Sequence, residues 1–502
     1  MKNLLLAFVL CFPLFSFSQN NAFYESHEVD SVAIPRGGYG YLTTFINANL
    51  QIPYMAKVAK VNGYVSLSGV VDEQGKISQI EVIKGIRPDC DKEAIRVFEL
   101  FNSWQTALKG GKGVRQKVTF RIPFKSTENI TFVDGEQFTF LSENFTPMNG
   151  DEAYVYILAE TIDTLKGLPV GDKSVFKGKK NIATFIYKKD SVENYTPAYP
   201  ESIKDSTLKI YATRNEDAQG NMVGELISYL LDGTMIEKAL AANGKPSLPY
   251  IKYYKNGMVR EYAKYADNNK NISEMTTWHP NGQISEIIRY KDSIIAPSKK
   301  NKMAQISPKH LKYLLNQWSE NGEQNVNNGN GRAIFKMYDI EKGYKVFTET
   351  GSFKNYKQDG IWKGYLEQED GFSFKEFYES GILTNGIAYY SKGDSSVYSG
   401  EVEISPEFKG GSRGYTEFLQ GNLKYPRDAQ KENAEGKAYL QFVVCTDGTL
   451  CDFKVLKSAG HSSLDKEALR VIQKSSGLWT PGVIRGRKAR AKYTIPINFK
   501  LQ

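Results

Sequence analysis

The sequence predicts an α+β protein in which two small modules, each two helices on a three-stranded antiparallel sheet, flank a β-rich repeat region. Three observations carry this. The stretch from Phe45 to Phe124 can be laid beside Phe418 to Ile497 with only small gaps. Between the copies, aromatic residues recur four positions before a glycine. The composition, with 31 Tyr, 27 Phe and 43 Gly, suits many short strands joined by tight turns.

The landmarks of the two copies run in one order. Asn49-Leu50-Gln51-Ile52-Pro53 matches Asn422-Leu423-Lys424-Tyr425-Pro426, and Gly63 matches Gly436. Asp72-Glu73-Gln74-Gly75 faces Cys445-Thr446-Asp447-Gly448. Asp91-Lys92-Glu93-Ala94-Ile95-Arg96-Val97 meets Asp465-Lys466-Glu467-Ala468-Leu469-Arg470-Val471, and Trp104 meets Trp479. Pro426 fits the first turn of a short helix, where its missing N–H costs nothing. Ala438 to Val444, the Asp447-Gly448 turn and Leu450 to Leu456 form a hairpin. Ser463, or Asp89 in the first copy, can cap the next helix. On that helix Leu464, Ala468, Val471 and Ile472 make one apolar stripe, repeated by Cys90, Ala94, Val97 and Phe98. Ala491 to Phe499 is the closing strand.

Tyr425-Pro426-x-x-Ala429, Gly436, Asp447-Gly448, Leu464-Asp465-x-x-Ala468, Trp479-x-Pro481 and Ile495-Pro496-Ile497-x-Phe499 together resemble the C-terminal domain of TonB. The N-terminal copy is more degenerate, with Ile52 in place of the tyrosine and Ala107 near the place of Pro481. The resemblance implies a partner-binding module that pairs with a short segment of outer-membrane receptors by strand addition. Carried over, the contacts are the last strand, with Lys492, Tyr493, Thr494, Ile495 and Ile497, and the segment Asn422, Leu423 and Lys424. Pro496 fits an edge strand because proline cannot donate to a ladder. Working transducers of this family keep an uncleaved membrane helix and a Pro-rich spacer. Here 18 prolines are scattered through the chain, so energy coupling by this polypeptide is not expected.

The middle reads as β-hairpin repeats: Tyr229…Gly233, Tyr253…Gly257, Trp278…Gly282, Trp318…Gly322 and Phe377…Gly381. Asp232, Asn256, Asn281 and Asn321 precede four of these glycines, as tight turns prefer. The pattern resembles MORN-type or antitoxin-like repeats, which implies an elongated spacer or a binding face. The expected divisions are a signal peptide at 1–18, a diverged module at 19–125, a β-rich connector at 126–215, hairpin repeats at 216–398 and the TonB-like domain at 399–502. Within the connector, Phe132 to Phe140, Tyr154 to Ile157, Asn181 to Tyr187 and Ile203 to Ala212 read as strands.

Lys2, the apolar run Leu4 to Phe15 and Ser16/Ser18 before Gln19 read as a secretory signal, which places the chain in the periplasm or cell envelope. No later stretch reaches the roughly 20 apolar residues of a membrane span. The net charge of +9 is mild, and with export it argues against nucleic acid as a partner. The expected partner is a protein, an outer-membrane receptor peptide or another envelope protein. Peptidoglycan and a second copy of the chain are the alternatives, the latter two in a structural, wall-associated role. Arg485, Arg487, Lys488 and Arg490 crowd the turn before the last strand. They read as edge protection or as electrostatic contacts for an acidic partner. Cys445 and Cys451 flank a turn and are a candidate disulfide. His27, His279, His310 and His461 are isolated, with no metal-ligand spacing. With no nucleophile elbow or phosphate loop either, the expectation is no catalysis, no metal and no cofactor.

Overall fold

The computed structural model describes residues 23–126, 130–143, 148, 154–195, 208–242, 245–265, 272–294, 308–339, 345–366, 371–390 and 393–501. Residues 1–18, read from sequence as a signal peptide, lie outside them. Among the described residues no helix is long and apolar enough to cross a membrane.

Each module is built as its alternation and stripe dictate. In the C-terminal copy the sheet order is Leu450–Lys457, Gly436–Val444, Ala491–Phe499, all antiparallel, with Gly436 opposite Phe499 and Val444 opposite Ala491. The N-terminal copy repeats it with Ile77–Lys84, Asn62–Val71 and Gln116–Lys125. The amphipathic helices Pro88–Glu99 and Ser462–Lys474 cover one face with their predicted stripes, every member of which is fully buried. Trp479 closes the C-terminal core, set edge-on against Phe408 and Phe442. Its indole Nε1 donates to Ser475 Oγ at 3.0 Å.

Three local readings change. Each module has a further long helix, Tyr39–Asn49 or Gly411–Asn422, ahead of the short one at Tyr54–Val58 or Arg427–Lys431. In the second copy it was hidden by Gly410, Gly411, Gly414 and Gly421, since glycine opposes helix. Tertiary packing of Tyr415, Phe418 and Leu419 on the core overrides that propensity. The cap of Ser462–Lys474 is His461, whose Nδ1 accepts from the Ser463 amide, so Ser463 lies inside the helix. Phe132 to Phe140 is a hairpin, Ile130–Val133 and Glu136–Leu141, because Asp134 and Gly135 both take positive φ (51° and 91°).

The chain divides into two compact units. The first joins the N-terminal module to antiparallel hairpins, each strand paired with the next from Ile130–Val133 through Lys180–Tyr195 and from Leu208–Glu216 through Ile284–Ile294. Their turns follow one plan. Oδ1 of Asp232, Asn256 or Asn281 accepts the amide two residues on, and the next glycine sits at φ +88°, +78° or +84°. The same turns seat the N-terminal module. The Asn102 amide donates to the Asn281 carbonyl at 3.0 Å, and Asn49 Oδ1 accepts from the Val259 amide at 2.6 Å. A Cβ on Gly282 would stand 3.1 Å from the Leu100 carbonyl oxygen.

The second unit holds Asn325–Gln502 and two short earlier pieces. Its hairpins run Asn330–Asp339, Lys345–Lys354, Lys357–Leu366, Ser373–Glu379, Ile382–Tyr389 and Ser395–Gly400, again in sequence order. Fully buried Trp362 packs with Phe335 and Phe353, and Gly351 makes room for its ring.

Two glycines of the C-terminal module give opposite expectations. A Cβ at Gly436 would lie 1.9 Å from the Ala459 carbonyl oxygen, whereas at Gly421, inside a helix, it meets nothing within 4 Å. Gly436→Ala should destabilise by about 1–3 kcal/mol through overpacking. Gly421→Ala should stabilise by up to about 1 kcal/mol through helix propensity. Urea unfolding of the two variants checks the contrast in sign.

Candidate partner-binding site

The closing strand Ala491–Phe499 pairs on one side with Gly436–Val444 and is an edge of its sheet. Side chains alternate along it as the pleat requires. Tyr493, Ile495 and Ile497 turn to the core, while Lys492 and Thr494 are exposed. Of the predicted contacts, therefore, the first three spend their side chains on the core and their backbone on Gly436–Val444, and Lys492 and Thr494, in phase with Pro496, turn their backbone groups to the open edge. The corresponding N-terminal strand, Gln116–Lys125, is also an edge, but its start is occupied. Tyr24 makes a parallel bridge there, its amide donating to the Arg115 carbonyl and its carbonyl accepting from the Lys117 amide, both at 2.9 Å. Lys109 Nζ lies 4.1 Å over the Tyr24 ring and holds the bridge in place.

The segment Asn422–Lys424 is fixed by a clamp on the stripe helix. Glu467 Oε1 accepts the Lys424 amide at 2.6 Å, Arg470 Nη2 donates to the Asn422 carbonyl at 2.7 Å, and Arg470 Nε donates to Glu467 Oε2 at 2.6 Å. The first copy reproduces it: Gln51 amide to Glu93 at 2.6 Å, Arg96 to the Asn49 carbonyl at 2.7 Å, Arg96 to Glu93 at 2.6 Å. Burial opposes the Glu467 charge. Arg470 and the Lys424 amide outweigh it and hold the carboxyl below its ordinary value. Next in the chain, Tyr425 donates its hydroxyl to the Ala434 carbonyl and sets its ring edge-on to Phe499, the end of the edge strand. Leu423 packs on the core. The clamp escaped the sequence reading, although a signal was there: a Glu and an Arg three apart recur identically in both copies, which a solvated face would not need.

The basic cluster does not act as one patch. Arg485 is turned inward in its own unit. Its Nε donates to Glu376 at 3.0 Å, its Nη2 reaches Glu349 at 3.3 Å, and its guanidinium lies 3.8 Å from the Phe374 ring centroid. Only 14% of its side chain is exposed. Arg485 is therefore an anchor for the hairpin Gly482–Ala489 and not a landing site. Arg487 stacks on Tyr390 and faces Asp394, and Arg490 pairs with Asp452. These exposed pairs are weak and exchangeable, and Lys488 is exposed. Glu376, 2% exposed, also accepts the hydroxyls of Tyr378 and Tyr398. Burial pushes Glu349 up, against the pull of Arg485. Cys445 and Cys451 are free thiols with Sγ atoms 3.0 Å apart. Among the described residues no group of three or more His, Cys, Asp or Glu could hold a metal.

A three-stranded sheet with the closing strand at an edge, and a clamped approach segment, define the class of small α+β module to which the two copies conform. The model of the Gram-negative bacterial TonB protein C-terminal matches twice, at residues 48–126 and 421–501. Protein TonB of Haemophilus influenzae is 34% identical over 84 residues, which is 17% of this chain and 30% of that protein. Two NMR structures of the Helicobacter pylori TonB C-terminal domain are 27% and 25% identical. They cover 17% and 18% of this chain and 77% and 90% of theirs, each with a TM-score of 0.15. Both terminal modules of this chain thus match the TonB C-terminal-domain family.

Two substitutions test the site's framework. Glu467→Gln should cost about 1.5–3 kcal/mol at neutral pH, the value of hydrogen bonds to a charged group. Because the folded carboxyl titrates lower than the unfolded one, that stability is fully present above the ordinary value of 4.5 and is lost as pH falls below it. The gap in melting temperature between wild type and variant should narrow in acid, as calorimetry would record. Arg485→Leu leaves the Glu376 carboxylate buried without its cation. An unfolding cost of about 3–5 kcal/mol is expected in denaturant titration.

Proposed function

We propose that the chain is a non-catalytic cell-envelope adaptor whose C-terminal TonB-like domain takes up an extended peptide of an envelope protein partner along Ala491–Phe499. The observation that carries this is the open edge of that strand, which offers unpaired N–H and C=O groups to an incoming strand. An outer-membrane receptor segment, in TonB-dependent transport, is the partner the family membership favours. The N-terminal copy, its edge started by Tyr24 and its loops set on hairpin turns, serves as scaffold in this reading. The hairpin repeats, of MORN-type or antitoxin-like character, act as the spacer between the modules.

The test is hydrogen–deuterium exchange on the full chain, titrated with a panel of extended peptides from candidate receptors. Slowed exchange confined to the amides of 491–499, with binding weakened at least about tenfold by Thr494→Pro, is the expected result. Binding indifferent to that substitution, or no binding by any peptide, would sink the reading. Concentration-dependent protection without peptide would instead assign the edge to a second copy.

A further inference from the structure

In the first unit a cleft of about 320 Å³ opens among the hairpins and is lined by Tyr187, Tyr211 and Tyr229. Its size is at the lower end of small-ligand sites, which span about 300–1,000 Å³. The hydrogen bonds in its wall restrict what it can hold. Thr213 Oγ1 donates to the Ile227 carbonyl at 3.4 Å, so its lone pairs are left to accept. Tyr187 and Tyr229 stand in the same wall as Thr213. Each phenol carries one O–H donor and acceptor lone pairs.

The rim is balanced in charge. Asp163 and Asp232 line it, each spending Oδ1 on its own turn, and Lys166 and Lys189 face them. Lys189 Nζ lies 4.7 Å over the Tyr211 ring. An anion would meet the two carboxylates, and a cation would meet the two lysines. A neutral ligand rich in hydroxyl donors, with C–H faces to lie on aromatic rings, satisfies all of them.

The geometry points to a neutral-oligosaccharide subsite in the cleft formed by Tyr187, Tyr211, Tyr229 and Thr213. A hexose or N-acetylhexosamine ring lies on a tyrosine face, and its hydroxyls donate to the phenol and aspartate oxygens. The site is independent of the edge-strand reading and stands or falls alone.

Isothermal titration of the full chain with chitotetraose, cellotetraose and maltotetraose tests it, with tetragalacturonate as the anionic control. Saturable binding of at least one neutral tetrasaccharide and none of the anion is expected. Tyr211→Ala should weaken it at least about tenfold. Lys189→Gln, at an exposed position that cannot unfold the sheet, should weaken it several-fold and covers the case in which the tyrosine variant fails to fold. Absence of binding by all three neutral sugars, preference for the anion, or binding unchanged in both variants overturns the assignment.

Discussion

The Glu–Arg clamp on the stripe helix is the interaction from which both modules take their form. A helix covering one face of a sheet could slide or rotate on an apolar stripe alone, because hydrophobic contact has no direction. Glu467 and Arg470 remove that freedom by binding the backbone of Asn422 and Lys424. This fixes the helix against the chain that leads to Tyr425-Pro426. Tyr425 in turn meets Phe499, so the register of the edge strand and the pose of the helix are set through one charge pair. The identical distances in the N-terminal copy show that the clamp outlasted the loss of other motif positions.

Turn chemistry is the second constraint, shared by modules and hairpins. An Asp or Asn accepts an amide two residues on, and a glycine follows at positive φ. The plan recurs at Asp447-Gly448 in the module and at Asn281-Gly282 in the hairpins. In each place the glycine also lets another backbone approach. Gly448 faces the Trp479 carbonyl, Gly75 the Trp104 carbonyl and Gly282 the Leu100 carbonyl. A residue chosen for conformation thus doubles as a docking surface.

Much of this could be read beforehand. The stripe Leu464, Ala468, Val471, Ile472 and the strand Ala491–Phe499 follow from periodicity, and the duplication exposed both modules. The helix Gly411–Asn422 could not be seen, since its local preference is against helix and its support comes from Phe408 just before it and Trp479 far along the chain. The inward turn of Arg485 was equally hidden, because its acceptors Glu349 and Glu376 are more than a hundred residues away. Spacing reveals what neighbours do, and long-range pairing of charges leaves no periodic trace.

The bridge made by Tyr24 has a thermodynamic consequence. The N-terminal edge comes with a competitor already tethered to it, held by two backbone hydrogen bonds and the Lys109 cation. A tethered segment acts at an effective concentration of about millimolar order, so a free peptide at lower concentration loses that contest before affinity is considered. Two domains of one family in a single chain are thereby made unequal. In the proposed reading, a ligand that both could recognise by backbone alone would be sorted to the C-terminal one, without any difference in the groups that bind it.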